Sequence, residues 1–223
     1  MRQVKPVGLI LDANSISDLT VLARKAEDAN FDSVWATELY RTTFQQLSAV
    51  ANSTHNIKLG TAVALAFVRS PLITSLTALD LDEISEGRLI LGLGTGAKRT
   101  NEMWHGVNHG KPVTRIKECI GLIRLISSGV HNGDVLSFEG EYYNISTKGY
   151  HRAFKPVRES FPIYLAGVGS NMIRASAEVA DGYLGHVVCS LKYIKDVVSK
   201  SIQSGLNKSG RTKKDFKTSS IIT

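Results

Sequence analysis

Residues 57–96, IKLGTAVALAFVRSPLITSLTALDLDEISEGRLILGLGTG, constrain this chain more than any other stretch. Ile57 to Phe67 is an apolar, β-branched run with small residues inside it. Pro71 to Ser85 spaces its apolar residues as a helix does, and Arg88 to Leu93 is apolar again. Gly92, Gly94 and Gly96 then fall at every second position. A strand, a helical crossover and a second strand make one right-handed parallel βαβ unit.

The same rhythm runs on both sides of it. Val7 to Leu11, Ser33 to Glu38 and Ile57 to Phe67 read as three strands, beginning about 25 residues apart, the size of a repeated βα unit. Asp18 to Ala29 and Phe44 to Ser53 are the helices between them. After Gly96 the rhythm breaks into a polar stretch, 97–110, with Trp104, His105 and His109. A long helix starts near Pro112 and ends at Gly129, and 134–146 reads as a small hairpin turning at Glu139-Gly140. The βα order resumes with strands at Pro162 to Ala166 and Tyr183 to Val188, and helices at Asn171 to Ala180 and Leu191 to Ser204. Phe216 to the terminus begins like a seventh strand. Seven strands and six helices in βα order suit a doubly wound sheet or a (β/α)8 barrel. As a barrel the chain lacks a seventh helix and an eighth unit, so it reads as one incomplete domain, 1–223, truncated after strand 7.

Length and charge bound the partners. A chain of 223 residues can bury the core of one domain, and no apolar run reaches the roughly 18 residues of a membrane span. The N-terminal MRQVKPVGLILDA has no small-residue cleavage site and reads as a first strand rather than a signal peptide. The net charge of +7 is concentrated in residues 192–217, which carry +6. No zinc-finger spacing or aromatic platform accompanies that basic segment, so it reads as a solvated helix and loop, with no nucleic-acid or membrane partner expected. Cys119 and Cys189 stand far apart with no CxxC, which points to a reduced, cytoplasmic compartment with both as small apolar fillers.

In either fold a ligand binds at the carboxyl ends of the strands. The residues there are Asp12, Thr37 and Glu38, Ala64 to Val68, Gly94 to Gly96, Ala166 to Gly169, and His186 to Cys189. Small residues dominate, which suits a flat ring and a phosphate lying against backbone. Gly94-Thr95-Gly96 and Gly167-Val168-Gly169 each precede a helix or loop, where free N–H groups can face an anion or simply allow close helix–strand packing. Glu38 ends a strand, as an acid/base, an acceptor for a cofactor ring, or a loop glutamate. His186 lies inside an apolar strand, either as a catalytic group or as a hydrogen-bonded core histidine. No HExxH, catalytic-triad signature or metal-ligand spacing appears, so no metal is expected.

Five stretches carry a resemblance: NFDSVWATE at 30–38, IKLGTAVALAFVRSP at 57–71, EISEGRLILGLGTG at 83–96, FEGEYY at 138–143 and PIYLAGVGSNMIRASAEVADG at 162–182. Together they resemble the luciferase-like oxidoreductases, and within them the branch using the deazaflavin coenzyme F-420, to which the methylenetetrahydromethanopterin reductases belong. The resemblance implies a (β/α)8 TIM barrel with an insertion at about 130–161, and a homodimer. It implies a non-prolyl cis peptide at Ala62-Val63 backing the deazaflavin ring. Gly94, Thr95 and Gly96, with Ala166, Gly167, Val168 and Gly169, are implied to hold the rest of the cofactor, and Glu38 to contact the ring. Family members carry Asp-His after the second strand, where this chain has Glu38-Leu39. The activity implied is hydride transfer between coenzyme F-420 and a small alcohol, aldehyde, ketone or pterin, with Glu38 and His186 as catalytic candidates. The alternatives are an FMN-dependent luciferase-like monooxygenase and, in another class, a non-catalytic flavin- or deazaflavin-binding protein.

Overall fold

The computed structural model describes residues 6–221. Seven strand positions form one parallel sheet: Gly8–Leu11 (β1), Ser33–Ala36 (β2), Lys58–Thr61 (β3) continued by Ala64–Leu65 (β4), Leu89–Gly94 (β5), Ile163–Ala166 (β8), Gly182–Gly185 (β9) and Lys217–Ser220 (β10). A separate antiparallel hairpin pairs Ser137–Glu139 (β6) with Asn144–Ser146 (β7). The helices are Ile16–Asp28 (α1), Thr43–Ala51 (α2), Pro71–Ile84 (α3), Lys98–Trp104 (α4), Pro112–Gly129 (α5) and Ser170–Val179 (α6). Leu191–Tyr193 (α7), the π-helical turn Ile194–Val198 and Ser199–Ser209 (α8) then run on without a break.

Strand order follows chain order across the whole sheet, β1-β2-β3-β5-β8-β9-β10. A doubly wound sheet reverses its order partway, so this sheet is wound one way, as in a barrel. It is also rolled. Trp35 of β2 and Tyr164 of β8 lie three strand positions apart, about 14 Å on a flat sheet at ~4.8 Å per strand. Their ring centroids are 6.3 Å apart, so they meet across a concave face. Ile10, Ala62, Val63, Ile90, Ala166 and Leu184 share that face with them.

Glycine makes the rolled face possible. A Cβ on Gly60 would enter the Trp35 ring, and one on Gly182 would lie against the Tyr164 ring. The convex face carries the alternate residues, including Val34, Leu59, Leu89, Leu91, Leu93, Ile163 and Leu165, packed with Leu19, Leu47, Ala78, Ile116, Ile120 and Ile123 of the helices. A second cluster holds Tyr183 against Ile173 of α6 and Ile202 and Leu206 of α8.

Four local expectations are corrected. The run 57–67 is not one strand. Leu59 and Gly60 pair with Leu89 and Ile90, and Ala64 and Leu65 pair with Leu93 and Gly94, so residues 61–63 face only 91 and 92. That extra residue is a β-bulge. It contains the cis Ala62-Val63 bond that the resemblance implied. Residues 97–110 hold helix α4 rather than only loop, and the apolar period was absent because α4 buries only Asn101. Strand β9 ends at Gly185, which leaves His186 exposed in the following turn rather than inside a strand. The hairpin turns over residues 140–143, between Glu139 and Asn144.

The amino-terminal end of the sheet is bound by charge. Arg88 donates from Nη1 to Thr54 Oγ1 and the Ile57 carbonyl, from Nη2 to the Ala51 and Thr54 carbonyls, and from Nε to the Ser85 carbonyl. Glu27 accepts from the backbone N–H groups of His55, Asn56 and Ile57. Burial works to raise its pKa, but those donors, with Arg88 nearby, hold the carboxyl below the ordinary glutamate value. Replacing Arg88→Met strands several carbonyls at a cost of roughly 1–3 kcal/mol per unsatisfied group. The variant is expected to lose about 3 kcal/mol in urea unfolding, and Arg88→Lys less, because an ammonium restores one or two of the bonds.

Candidate functional site

The carboxyl ends of the strands gather three backbone features. The first is the bulge. Ala62 N–H donates to the Ala36 carbonyl at 2.8 Å, and Thr61 Oγ1 donates to the Gly92 carbonyl at 2.6 Å. A Cβ on Gly92 would strike the Thr61 carbonyl, so glycine is required where β5 passes behind the bulge.

The second feature is the turn Gly94-Thr95-Gly96. Gly94 lies against the Val63 side chain so closely that a Cβ there would overlap it. Gly96 takes φ +68°, and a Cβ on it would come 2.9 Å from Asn101 Oδ1. The third is Ala166 to Gly169. Tyr183 and Tyr193 hold it from beneath, their hydroxyls donating to the Gly167 carbonyl at 2.7 Å and the Val168 carbonyl at 2.8 Å. Burial raises the Tyr183 pKa, which keeps that hydroxyl a donor. Gly169 caps α6, and the N–H groups of Gly169, Ser170 and Asn171 donate to no protein acceptor among the described residues.

Glu38 stands behind the bulge. Its carboxylate accepts from Leu65 N–H at 2.7 Å and from both terminal nitrogens of Arg69, whose Nη1 lies at 2.8 Å. Both side chains are largely buried, and the guanidinium lies 5.4 Å over the Phe44 ring. The Arg69-Ser70-Pro71 sequence therefore does three jobs in three residues. Arg69 pairs with Glu38, Ser70 Oγ accepts from Ile73 N–H to cap α3, and Pro71 opens the helix.

The structure brings together Ala62, Val63 and Ala166 on the concave face, with Gly94 against Val63. Gly96, Gly167, Val168 and Gly169 stand around that mouth. No hydrogen bond joins the two catalytic candidates among the described residues. Glu38 follows β2 and His186 follows β9, four sheet positions apart. His186 Nδ1 accepts from Val188 N–H at 3.3 Å. Arg69, Tyr183, Tyr193, Asn101 and His109 were not legible as site-building residues. Glu38 and Arg69 are 31 residues apart, and neither residue reveals the other by spacing.

A rolled parallel sheet with a bulged third strand and two glycine turns at its carboxyl mouth defines a (β/α)-barrel type of fold. The luciferase-like monooxygenase family model matches residues 4–223, and the chain belongs to that family. It is 33% identical over 205 residues to a 5,10-methylenetetrahydromethanopterin reductase of Archaeoglobus fulgidus, which spans 90% of this chain and 58% of the relative. It is 36% identical over 197 residues to the reductase of that name from Methanolobus tindarius, which spans 86% of this chain and 56% of the relative. The chain thus spans about three fifths of the length of the curated relatives it matches. Among solved structures, the coenzyme F-420-dependent tetrahydromethanopterin reductase of Methanopyrus kandleri superposes with a TM-score of 0.82 at 25% identity, over 96% of this chain and 64% of that one. At 18% identity the FMN-bound 3,6-diketocamphane monooxygenase component of Pseudomonas putida shares the fold, with a TM-score of 0.75 over 96% of this chain and 66% of that one. Among the described residues no helix is long and apolar enough to cross a membrane, and no cluster of His, Cys, Asp and Glu is placed to hold a metal ion.

Removing one partner of a buried ion pair costs about 3–5 kcal/mol, because the other charge is left uncompensated. Arg69→Met is expected to cost about 3 kcal/mol in chemical unfolding, and the double variant Arg69→Met/Glu38→Gln measurably less.

Proposed function

We propose that this chain transfers a hydride between coenzyme F-420 and a small organic substrate of the alcohol, carbonyl or pterin type. The observation that carries the reading is the bulge at Ala62-Val63 with Gly94 pressed against the Val63 side chain, a wall of small apolar residues. Relatives at 33% and 36% identity named as methylenetetrahydromethanopterin reductases support it. The residues present fit such a cofactor. The bulge would back the ring, and the Gly94 to Gly96 turn and Ala166 to Gly169 would flank the chain that leads from it. The three free N–H groups at the start of α6 suit a phosphate, since a helix N-terminus favours negative charge.

A bound deazaflavin supplies the hydride chemistry itself. The protein's part is orientation and exclusion of water. Glu38 holds the bulge in place through Leu65 N–H and Arg69, and so sets the plane on which the ring would lie. His186 would manage the substrate's proton: Val188 N–H occupies Nδ1, so in the neutral ring Nε2 carries the hydrogen. Exposed Tyr40 and Val188, in the turns that follow β2 and β9, would add apolar surface for the substrate.

An FMN-dependent monooxygenase is the second reading, favoured by the shared fold of an FMN-bound monooxygenase component. Fluorescence and absorbance titration with coenzyme F-420 and with FMN separates the two. Saturable deazaflavin binding, with FMN at least about tenfold weaker, is the expected result, a difference of ~1.4 kcal/mol. Tight FMN binding with no deazaflavin affinity would overturn it. Gly94→Ala should weaken binding by about tenfold or more, since its Cβ displaces Val63 from the ring wall.

A further inference from the structure

Asn101 is fully buried at 0% exposure, yet it is polar and stands on a short surface helix. Its Nδ2 donates one hydrogen to the Thr95 carbonyl at 2.7 Å and lies 2.9 Å from His109 Nδ1. Its Oδ1 has no partner and no access to solvent. A buried amide oxygen left unpaired is costly, so something must fix the amide in this orientation. Thr95 does so. Its carbonyl can only accept, and turning the amide would set two oxygens against each other. The second amide hydrogen then points at His109 Nδ1, which has to offer a lone pair. The ring must be neutral, with its proton on Nε2.

We propose that Asn101 is a positioning residue for the cofactor turn and that His109 works it: neutral His109 keeps the Asn101 amide on the Thr95 carbonyl, and a proton on Nδ1 draws it away. This rests on the reading of Gly94 to Gly96 as a cofactor wall. A protonated Nδ1 aims a donor at a donor, and relief comes by turning the amide so that Oδ1 accepts from the ring. That exchange satisfies the orphaned oxygen and strips Thr95 of its donor. Gly96, whose missing Cβ leaves room for Oδ1, is then free to move with it.

The surroundings favour the neutral ring. His109 is 9% exposed and meets the Phe67 ring edge-on at 5.6 Å. Burial disfavours its charged form, Glu102 of α4 favours it, and Arg115 of α5 and Lys98 of α4 disfavour it, for a pKa below the ordinary histidine value of 6.5. Arg115 is itself fixed, lying 4.3 Å over the same Phe67 ring and donating to the Asn108 carbonyl. The sign follows. The unfolded chain takes up the proton first as pH falls, so the latch stabilises the fold fully above the ordinary histidine range. That contribution is lost on acidification toward the lowered value.

The test compares wild type with His109→Gln, which offers a neutral acceptor that does not titrate, and with Asn101→Ala. Coenzyme F-420 affinity in the wild type is expected to fall at least about fivefold between roughly pH 7.5 and roughly pH 4.5, a window that runs below the ordinary histidine range because the His109 pKa is lowered. In His109→Gln it should stay flat, and in Asn101→Ala it should be weak at both values. Amide hydrogen exchange of residues 94–101 in the coenzyme-free chain, corrected for intrinsic rates, is expected to rise at the lower pH in wild type alone. Identical pH profiles for wild type and His109→Gln in both measurements would overturn the latch. If neither coenzyme F-420 nor FMN binds any variant while exchange follows this pattern, the latch stands and the cofactor reading fails.

Discussion

The carboxyl mouth of this sheet depends on one ion pair. Glu38 and Arg69 lie together behind a strand that has lost its regular ladder for three residues. A bulge of that kind leaves backbone groups without ladder partners, and something other than the sheet has to hold it. The carboxylate does so by taking Leu65 N–H, the first donor after the bulge in reach, while Arg69 neutralises the charge from the start of α3. A neutral side chain could satisfy the N–H but could not also tie down the helix. The pair thus joins the end of β2, β4 and the start of α3 at one point.

What faces the mouth is set by what lies deeper in the rolled sheet. Trp35 and Tyr164 fill the concave face, and glycines at 60 and 182 make room for their rings. Ala62, Val63, Gly94 and Ala166 leave a shallow floor, and the next residues along each strand are turns whose backbone is held from outside. Asn101 holds one turn and two tyrosines hold the other. Each support acts on a carbonyl oxygen. The N–H groups at the start of α6, beside the small residues Ala62, Val63, Gly94 and Ala166, suit a ligand that is flat and apolar at one end and anionic at the other.

Much of this was legible because parallel strands announce themselves. Leu89 to Leu93 is apolar on both faces, and helices at regular intervals cover such runs. The βα order therefore came directly from periodicity, and the glycine turns from spacing. The bulge was not readable from the residues, since Gly60 to Leu65 is as apolar and small as a continuous strand. It entered through resemblance to a family. Helix α4 was missed because it turns only one polar residue inward, which leaves no apolar stripe to detect. His186 was placed one structural state too early because Val187 and Val188 extend the apolar run past the end of hydrogen bonding, yet both are exposed. The Asn101–His109 pair and the Glu38–Arg69 pair join residues on separate elements, and single-sequence patterns carry no information about such partners.

The central claim is that the bulge and the two turns form one cofactor cradle. A crystal structure of the chain with bound coenzyme F-420 tests it most directly. The account predicts the deazaflavin ring stacked on Ala62-Val63 beside Gly94, with its phosphate on the N–H groups of Gly169, Ser170 and Asn171. A ring bound away from the bulge, or a phosphate held elsewhere than the start of α6, would contradict it.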